Sequence, residues 1–360
     1  MSRAQLLSEA AAFPDPLLSA NFYAFRRLDR VIARAVVPFV LAAEASPASH
    51  PFYLWLLRYA CGGEHLKIRV HGPESLREPL SLLLERAVEA GRAAGEEIPV
   101  MPRRLVPPPP MDREDQGPAD GYPDGTFLYT HYRRSPVVFG ASPLLDDDLY
   151  AALFTSCLGR ACRLALESFE LDETGHLPHR RRQALLLKVL TAGLPALFAG
   201  EELRRYAVYH RDWLVRARSL ASRGGMEKAR QILEQYASEA ARIGPSSLTG
   251  IPALLQGAEP PGLWEREWRR SLVAFRAYVQ EIQAPDPDPF VPGPLYPSLF
   301  KVFHCVANQL GLTPLNEGLT WHLLLNAVAG SENRDGFRLV PLDDPGSFGE
   351  HARAGNRIRL

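Results

Sequence analysis

The stretch YPSLFKVFHCVANQLGL, residues 296–312, predicts a helix around which the rest of the chain can be arranged. Pro297 suits the first helical position, because the N–H that proline lacks has no intrahelical partner there. Gly311 suits the position just after the last turn, where a positive φ costs glycine little. Apolar side chains recur at helical spacing and predict a face that packs on a core. They are Leu299, Val302, Phe303, Val306, Ala307 and Leu310.

A polar edge borders that apolar face. Lys301, His304 and Asn308 follow one another at i, i+3 and i+7, which places them on one side of a helix. Such an edge can border a pocket, but the same spacing also fits a half-exposed helix edge without chemistry. The spacing alone leaves both interpretations open.

Length and charge say little about partners. The chain has 360 residues, which fits one large domain or two smaller ones. Its 41 acidic and 41 basic residues balance, so the total charge favours no class of partner.

The sequence shows no signal for a membrane or for export. It has no uncharged apolar run of about 18 residues that would predict a transmembrane helix, and its N-terminus does not resemble a secretory signal. The cysteines are far apart and form no CxxC pair, which fits small thiols in a reducing cytoplasm better than disulfides or a zinc site. They are Cys61, Cys157, Cys162 and Cys305. We therefore expect a cytoplasmic protein without a metal site.

Two strands joined by a tight turn give the clearest β signal. Residues 52–59 are rich in aromatic and branched side chains, residues 65–71 alternate strictly, and Gly62 and Gly63 lie between them. The second strand places four potential cations on one face: His65, Lys67, Arg69 and His71. That face can hold an anion or a carbonyl group, although without further context an ordinary solvated face is favoured.

Helical patterns fill most of the remaining sequence. A helix over residues 29–37 is expected to end in a turn at Pro38, and residues 126–133 are a candidate third strand. Further helices are predicted over 74–93, 146–170, 183–198, 201–221, 226–242, 265–283 and 313–328. The proline-rich segment 99–125 predicts a mobile loop. The sequence thus predicts an α+β fold that is mostly helical with a small antiparallel sheet.

The predicted helical region 176–242 begins with a basic stretch. An acidic peptide segment is one partner that such a region can attract. Scattered surface arginines whose stems cover apolar area explain the pattern equally well. Nucleic acid is a weaker idea, because the stretch lacks glycine-rich turns and interleaved stacking aromatics.

Motifs of the common cofactor and hydrolase classes are absent. The chain has no GxGxxG after a strand, no P-loop, no HExxH, no GxSxG and no CxxC. We therefore expect no cofactor. Composition and pattern alone predict an α+β protein with a polar pocket, and they do not identify its reaction.

Three short motifs, in order along the chain, resemble those of a known family. WLLRY (residues 55–59) and GGEHLKIR (62–69) resemble its strand pair FFIRY…GGPHLRLRF, residues 132–140 resemble YxxExxRYGG, and HCVANQLG (304–311) resembles HMHxNRLGI. The family is the C-terminal, glutamate-eliminating domain of lantibiotic dehydratases, which also occurs alone in thiopeptide bacteriocin biosynthesis. The resemblance implies that residues 1–360 form a single domain with the elimination-domain fold. We expect the large glutamylating domain of a full dehydratase to be absent.

Stand-alone members of that family carry out two reactions. One removes glutamate from a glutamylated Ser or Thr, and the other forms a pyridine ring by a formal [4+2] aza-cycloaddition of two dehydroalanines. Three arginines of the family motifs are replaced here, by Lys67, Val138 and Gln309, whereas Arg69 and His304 are retained. A departing glutamyl carboxylate suits the bidentate fork of arginine, which valine and glutamine cannot replace. The resemblance, with these departures, favours a pyridine synthase.

The resemblance also implies catalytic roles. His304 is expected to transfer protons while the ring loses water or becomes aromatic. Tyr296 and Ser298 would donate to the amide oxygen that becomes an iminol hydroxyl, although helix capping and core packing explain these two residues equally well. Gln309 would orient the substrate backbone.

Further residues are expected to contact the peptide. Asn308 would orient its backbone, Lys67 and Arg69 would bind a carbonyl group, and Trp321 would form a wall of the pocket. For Trp321 a place in the core is the commoner explanation.

The expected substrate is a ribosomally made precursor peptide with a dehydrated, azole-containing core and an acidic leader. Arg180, Arg181 and Arg182 are the candidate leader contacts, and no nucleic acid or membrane partner is expected. Two alternatives stay open. One is a lyase that removes glutamate in a tRNA-glutamate-dependent dehydration pathway, and the other is a non-catalytic adaptor that binds leader peptides.

Overall fold

The computed structural model describes residues 15–24, 27–45, 52–59, 64–93, 125–130, 132, 134, 147–172, 175–221, 225–243, 251, 255, 262–282 and 295–329. Its strands are Leu18–Tyr23 (β1), Tyr53–Tyr59 (β2), His65–His71 (β3) and Phe127–Tyr129 (β4). Its helices are Leu28–Val31 (α1), Val37–Glu44 (α2), Arg77–Ala93 (α3), Asp148–Leu166 (α4), His179–Leu197 (α5), Gly200–Ala221 (α6), Gly225–Ile243 (α7), Leu263–Ile282 (α8), Leu295–Gln309 (α9) and Pro314–Ala329 (α10). These elements confirm the predicted fold class, mostly helical with a small antiparallel sheet.

Residue contacts divide the chain into two compact units. The first, called the sheet unit, comprises Met1–Val189 and His304–Gly311. The second, called the helical unit, comprises Leu190–Phe303 and Leu312–Leu360. The division therefore falls inside α5 and again inside α9. The expectation of one domain over residues 1–360 stays a prediction, and the segment 99–124 lies outside the described residues.

The sheet unit contains an antiparallel sheet in the order β2-β3-β1-β4. The predicted hairpin strands are confirmed, because β2 and β3 pair from Tyr53 opposite His71 to Tyr59 opposite His65. The candidate third strand is confirmed as β4, with narrower bounds than 126–133.

Strand β1 lies between β3 and β4 and was not predicted. Its residues alternate, with Ala20 and Phe22 in the apolar core and Ser19 and Asn21 on the opposite side. Alanine, serine and asparagine favour strands weakly, so this alternation gives little signal beside the helical pattern that follows it.

The helix after β1 continues past Pro38, so the predicted turn there is wrong. A π-helical turn, Ile32–Val36, joins α1 to α2. In a regular helix proline lacks one hydrogen bond and clashes with the carbonyl group four residues earlier. The wider π turn changes the hydrogen-bond pattern just before Pro38, and the helix can continue.

The two faces of the sheet are both buried. The apolar face packs with α1, α2 and α3 into the core of the sheet unit. The opposite face carries the four potential cations of β3, and all four side chains are buried: His65, Lys67, Arg69 and His71. The sequence pattern favoured a solvated face for these side chains, and that prediction is wrong.

Helix α4 approaches β2 closely. A Cβ atom added to Gly159 would lie 2.7 Å from the ring of Tyr53, so only glycine fits this contact without movement. The Tyr53 hydroxyl lies 3.3 Å from the Thr155 hydroxyl one helical turn earlier. By length and composition alone α4 could cross a membrane, but most of it is buried here, as in the core helix of a globular unit.

The cysteines that the structure describes are buried free thiols, as the sequence predicts. They are Cys157, Cys162 and Cys305. Burial raises the pKa of Cys162 to about 12, so this thiol stays protonated at neutral pH. Cys61 lies outside the described residues.

Helix α9 matches the stretch that predicted it. It begins at Leu295, so Pro297 is its third residue and not its first. The first N–H groups of any helix lack intrahelical partners, and the proline is therefore accommodated. Gly311 has φ 73°, and its N–H donates to the Asn308 carbonyl at 2.8 Å, which ends the helix as predicted.

Candidate functional site

Asn308 joins the end of α9 to the sheet. Its Oδ1 accepts from the Arg58 N–H at 2.8 Å, and its Nδ2 donates to the Arg58 carbonyl at 3.1 Å. Strand β2 lies at the edge of the sheet, so this amide takes the place that a neighbouring strand would have. Asn308 thus fixes β2, and its predicted contact with substrate stays a prediction.

Two arginines donate hydrogen bonds to carbonyl groups at the C-terminal end of α9. Arg58 Nε donates to the Gln309 carbonyl at 3.0 Å, and Arg182 Nη1 donates to the Leu310 carbonyl at 2.5 Å. The last carbonyl groups of a helix lack intrahelical partners and carry partial negative charge, so guanidinium groups are favourable there.

Asp29 connects these two arginines. Its carboxylate accepts from Arg58 at 2.7 Å, from Arg182 and from the Leu177 N–H at 2.9 Å, and its side chain is 4 % exposed. Burial alone would raise the pKa of Asp29. The guanidinium of Arg58, the Leu177 hydrogen bond and the guanidinium of Arg182 outweigh it, and the pKa lies below its usual value. Both guanidinium groups are therefore engaged inside the protein.

Gln309 lies in the interior of the sheet unit. It is 4 % exposed, and its Nε2 donates to the Leu158 carbonyl of α4 at 3.4 Å. Its Oε1 has no hydrogen-bond partner among the described residues. A neutral amide therefore occupies this position, with one acceptor still available.

Lys67 and Arg69 are held by the sheet itself. The Lys67 Nζ lies 4.0 Å from the centre of the Tyr59 ring, a cation–π distance. Arg69 Nη1 donates to the carbonyl groups of Ala20 at 2.9 Å and Ile68 at 3.0 Å. The polar face of the sheet thus places positive charge in the interior, on a rigid support.

His304 is half-buried and belongs to the sheet unit. Lys301 and Asn308 are half-buried as well, which confirms the polar edge predicted from their spacing. The predicted catalytic residues divide between the units. His304 and Gln309 lie in the sheet unit, and Tyr296 and Ser298 lie in the helical unit.

Tyr296 belongs to an aromatic cluster of the helical unit. Its ring centre lies 5.1 Å from that of Tyr206, 5.4 Å from that of Tyr209 and 5.8 Å from that of Phe198. Burial raises the pKa of Tyr296, and the nearby carboxylate of Glu202 raises it further. At neutral pH this half-buried phenol is a proton donor.

Ser298 and Trp321 are more deeply placed than Tyr296. Ser298 is buried, and as the fourth residue of α9 it does not cap the helix. Trp321 is fully buried and stacks on His210, with ring centres 4.2 Å apart. Their predicted contacts with substrate stay predictions, and Trp321 packs in the interior of the helical unit.

A buried chain of polar groups in the helical unit was not predicted from the sequence. Glu317 Oε1 lies 2.8 Å from His210 Nε2, and the His210 Nδ1 lies 3.4 Å from the Tyr206 hydroxyl. His210 and Glu317 are both 0 % exposed. Tyr206 and His210 are one turn apart on the buried side of α6, so a histidine within an apolar stripe was the available signal. Glu317 gives no such signal, because acidic residues are common in the first turn of a helix.

The three arginines predicted to bind the leader differ in their surroundings. Arg180 is exposed, and Arg181 is exposed and pairs with Glu170 at 2.6 Å. Arg182 is engaged by Asp29 in the interior. The helical region 176–242 extends over both units.

Some predicted features are not tested by the structure. Val138 lies outside the described residues. Within the parts of the chain that are described, no group of three or more His, Cys, Asp or Glu side chains could hold a metal ion. The expected absence of metals and cofactors stays a prediction.

Comparison with known proteins extends the resemblance found in the sequence. The family model for the lantibiotic biosynthesis dehydratase C-terminal domain matches residues 18–328. The pyridine synthase TbtD, from thiomuracin biosynthesis, has a similar structure, with a TM-score of 0.61 and 20 % sequence identity over 87 % of this chain and 97 % of that chain. A search of curated proteins finds no match. The structural likeness establishes a shared fold and confirms the fold that the motifs implied.

Proposed function

Because the chain belongs to the lantibiotic dehydratase C-terminal family, we propose that it forms the central pyridine ring of a thiopeptide. The reaction is a formal [4+2] aza-cycloaddition of two dehydroalanines in one precursor peptide. It is followed by loss of water and of the leader peptide as an amide. The name of TbtD, a pyridine synthase of similar fold, supports this choice within the family.

The observation that carries the proposal is the neutral residue at the end of α9. The family motif has an arginine where Gln309 lies, and the Gln309 side chain is in the interior beside Leu158. An eliminating enzyme must hold the carboxylate of a departing glutamate, and a bidentate guanidinium suits that task. A buried amide instead suits a neutral peptide group.

Nearby arginines do not replace the missing one. Arg58 and Arg182 lie at the same end of α9, but both are bound to the carboxylate of Asp29 and to helix carbonyl groups. Using either for a glutamyl carboxylate would leave Asp29 buried beside a second negative charge. This cost supports cycloaddition over elimination.

Cycloaddition mainly requires that two alkenes be positioned together and that a few protons be transferred. Holding both alkenes together can supply much of the rate through effective molarity. In the proposal His304 transfers protons during water loss and aromatisation, while Tyr296 and Ser298 act at the amide oxygen that becomes the iminol hydroxyl. Gln309 and Asn308 keep the end of α9 in place against α4 and β2. Lys67 and Arg69 are proposed to bind a carbonyl group of the peptide, and Trp321 is buried within the helical unit.

The test is a reaction with a defined peptide. The full chain is incubated with a leader-bearing peptide that contains azoles and two dehydroalanines, and the products are followed by mass spectrometry. We expect an intact leader amide and a macrocycle with a trithiazolylpyridine-type ring. A peptide in which one dehydroalanine is replaced by alanine is the control, since it cannot form the ring.

The alternatives predict other products. A glutamate-eliminating lyase would convert a glutamylated Ser or Thr into a dehydroamino acid and form no ring. A leader-binding adaptor would bind the leader and change neither peptide. Either result, with no pyridine formed, would contradict the proposed function.

We also propose that exposed arginines of this protein bind an acidic leader peptide in the cytoplasm. Changing Arg180 and Arg181 together to glutamate is expected to weaken binding of the isolated leader about tenfold at low salt, since each reversed surface charge costs up to about 1 kcal/mol. Fluorescence anisotropy with a labelled leader peptide measures this, and the difference should shrink as salt screens the charges.

A matched control keeps the same change in net charge. Arg86 and Arg270 are exposed arginines outside region 176–242, and their double change to glutamate should leave leader binding within about twofold. Arg182 is left unchanged, because its loss would disturb Asp29. Equal weakening by both double variants would show that only the total charge matters, and unchanged binding would exclude the Arg180–Arg181 surface.

A further inference from the structure

We infer that the outer edge of β4 is a docking site for an extended, uncharged segment of the precursor peptide, which adds to the sheet as a further strand. The peptide as the occupant rests on the proposed function, whereas the open edge is a feature of the sheet unit alone. The segment is distinct from the acidic leader assigned to Arg180 and Arg181. Strand addition takes its affinity from main-chain hydrogen bonds and its specificity from a pocket for a side chain.

The main chain of β4 has hydrogen-bonding groups that point away from β1. The Thr126 carbonyl accepts from β1 at 2.8 Å, and the Thr130 N–H donates to β1 at 2.8 Å. Main-chain groups alternate in direction along an antiparallel strand, so those of Phe127 and Tyr129 lie on the outer side. Within the part of the chain that the structure describes, no hydrogen bond reaches these outer groups.

The other edge of the sheet, at β2, is covered. The Asn308 amide binds both main-chain groups of Arg58, and Cys162 of α4 accepts from the Leu56 N–H. An unpaired strand edge is a template for another chain, and native proteins usually cover or blunt it. Among the described residues β4 has no such cover, although it lies at the edge of the same sheet.

A cavity of about 390 Å³ lies at the end of β4. Leu18 and Ser19 at the start of β1, Ser81 of α3 and Tyr129 of β4 are among the residues that line it. Ligand pockets commonly measure about 300–1,000 Å³, so this cavity can hold a side chain of a bound peptide. A strand added to β4 places every second side chain next to Tyr129, on the side of the cavity.

The Tyr129 side chain is held beside this edge and is 43 % exposed. Its hydroxyl donates to Glu85 Oε1 of α3 at 3.1 Å, which fixes the ring against that helix. Aromatic side chains stabilise a neighbouring strand through cross-strand contacts. The exposed part of this ring is therefore a preformed surface for an apolar or aromatic side chain of the peptide.

The charge of the cavity lining favours an uncharged occupant. The guanidinium of Arg77 binds the Glu74 carboxylate, with Nη2 at 2.9 Å, and its Nη1 donates to the Leu17 carbonyl at 2.8 Å. An acidic side chain would compete with Glu74, and a basic one would face Arg77. The other polar side chains of the lining are hydroxyl groups, and those of Ser19 and Thr130 lie 2.9 Å apart.

Hydrogen exchange of the full chain tests the site without the reaction. Nitrogen-15 NMR follows the amides of Phe127, Leu128 and Tyr129 with and without the leader-bearing precursor peptide. With the peptide at ten times its Kd or more, exchange at Phe127 and Tyr129 should slow at least about tenfold. Leu128 is the internal control, because its N–H already faces β1. Unchanged exchange at Phe127 and Tyr129 would overturn the site.

A proline substitution tests the outer N–H directly. Tyr129→Pro removes this donor and keeps the hydrogen bonds to β1, since proline is tolerated where a strand N–H faces outward. Tyr129→Ala is the matched control, because it removes the same ring and keeps the N–H. By fluorescence anisotropy the proline variant should bind the precursor peptide about fivefold more weakly than the alanine variant. Equal affinities would contradict strand addition, and Leu41→Ala, at an exposed leucine of α2, should bind like the wild type.

A scan of the peptide identifies the segment. Single N-methyl groups are placed on successive unmodified residues of the precursor peptide, each of which removes one N–H. Because every second N–H of an added strand faces β4, binding should weaken at every second position of one segment. Equal tolerance of the methyl group at all positions would overturn the inference.

The remaining outcomes separate this site from the proposed function. Protection of Phe127 and Tyr129 that rises with protein concentration and needs no peptide would assign the edge to a second copy of the chain and overturn the peptide site. Protection by the peptide without any pyridine product would refute the proposed function and leave the strand site in place. Pyridine formation without protection would refute the strand site alone.

Discussion

Replacing Asp29 by alanine is expected to lower the free energy of unfolding by about 3–5 kcal/mol. The carboxylate lies between the guanidinium groups of Arg58 and Arg182, and both side chains are largely buried, at 13 % and 14 % exposed. Without Asp29 two positive charges would remain close together with little water. The Leu177 N–H would also lose its acceptor.

The position of the cluster makes this loss larger than that of an isolated pair. Arg58 and Arg182 also hold the last carbonyl groups of α9, at Gln309 and Leu310. Repulsion between the arginines would therefore loosen the end of the helix from the sheet. Urea unfolding followed by circular dichroism measures the change.

Two further variants show how much of the lost stability comes from the buried charge. Asp29→Asn keeps the size of the side chain and an acceptor for Leu177, so its loss should be smaller than that of the alanine variant. Glu170→Ala breaks a surface pair with Arg181 and should cost no more than about 1 kcal/mol. If Asp29→Ala and Glu170→Ala destabilise equally, the buried cluster is not a major source of stability.

The same cluster should make stability depend on pH. In the unfolded chain the pKa of an aspartate is about 3.9, and in the folded protein the pKa of Asp29 is lower. Its stabilisation is thus complete above the unfolded-state pKa and is lost as the pH falls through the folded-state pKa. The difference in stability between wild type and Asp29→Asn should shrink in that acidic range and stay constant above it.

Local sequence patterns predicted the elements with strong periodicity. The alternating strand at 65–71 and the apolar stripe of α9 each carry a repeat that one short segment displays. Strand β1 was missed because its alternating residues include weak strand formers. The continuation of the helix through Pro38 was missed because a π turn has no residue signature of its own.

Local sequence patterns could not predict contacts between distant parts of the chain. The link between Asn308 and Arg58 joins segments far apart in sequence, and so does the pair of His210 with Glu317. Spacing showed that Asn308 lies on a polar edge, but not that both atoms of its amide bind the sheet. Burial of the side chains of His65, Lys67, Arg69 and His71 in β3 likewise depends on what covers the sheet, and a single strand does not encode that.

Replacing His304 by alanine is expected to reduce kcat for pyridine formation by about 100-fold or more, because one positioned acid–base group contributes roughly 10²–10⁴-fold. Binding of the precursor peptide should change little, since the imidazole is assigned to proton transfer and not to affinity. Single-turnover assays by mass spectrometry, with anisotropy for leader binding, separate these two effects.

His304 is the best placed of several histidines for this task. His210 is fully buried and hydrogen-bonded to Glu317. His322 has a pKa lowered to about 4 by burial and by Arg211, so it cannot gain a proton near neutral pH. His71 is buried, stacks on Tyr53 and accepts from the Trp55 indole N–H. His304 is half-buried on the polar edge of α9, so part of its side chain is exposed.

Because His304 is half-buried, a loss of activity in its variants can be separated from a loss of stability. Truncation there leaves no large cavity, so the free energy of unfolding should change by less than about 1 kcal/mol. His179→Ala, at an exposed histidine on α5, is the matched control and should keep full activity. His304→Gln, which can hydrogen-bond but cannot exchange a proton near neutral pH, should be as slow as His304→Ala if the residue acts in proton transfer. Recovery of activity in His304→Gln would instead assign His304 to hydrogen bonding of the substrate, and full activity in His304→Ala would remove it from the mechanism.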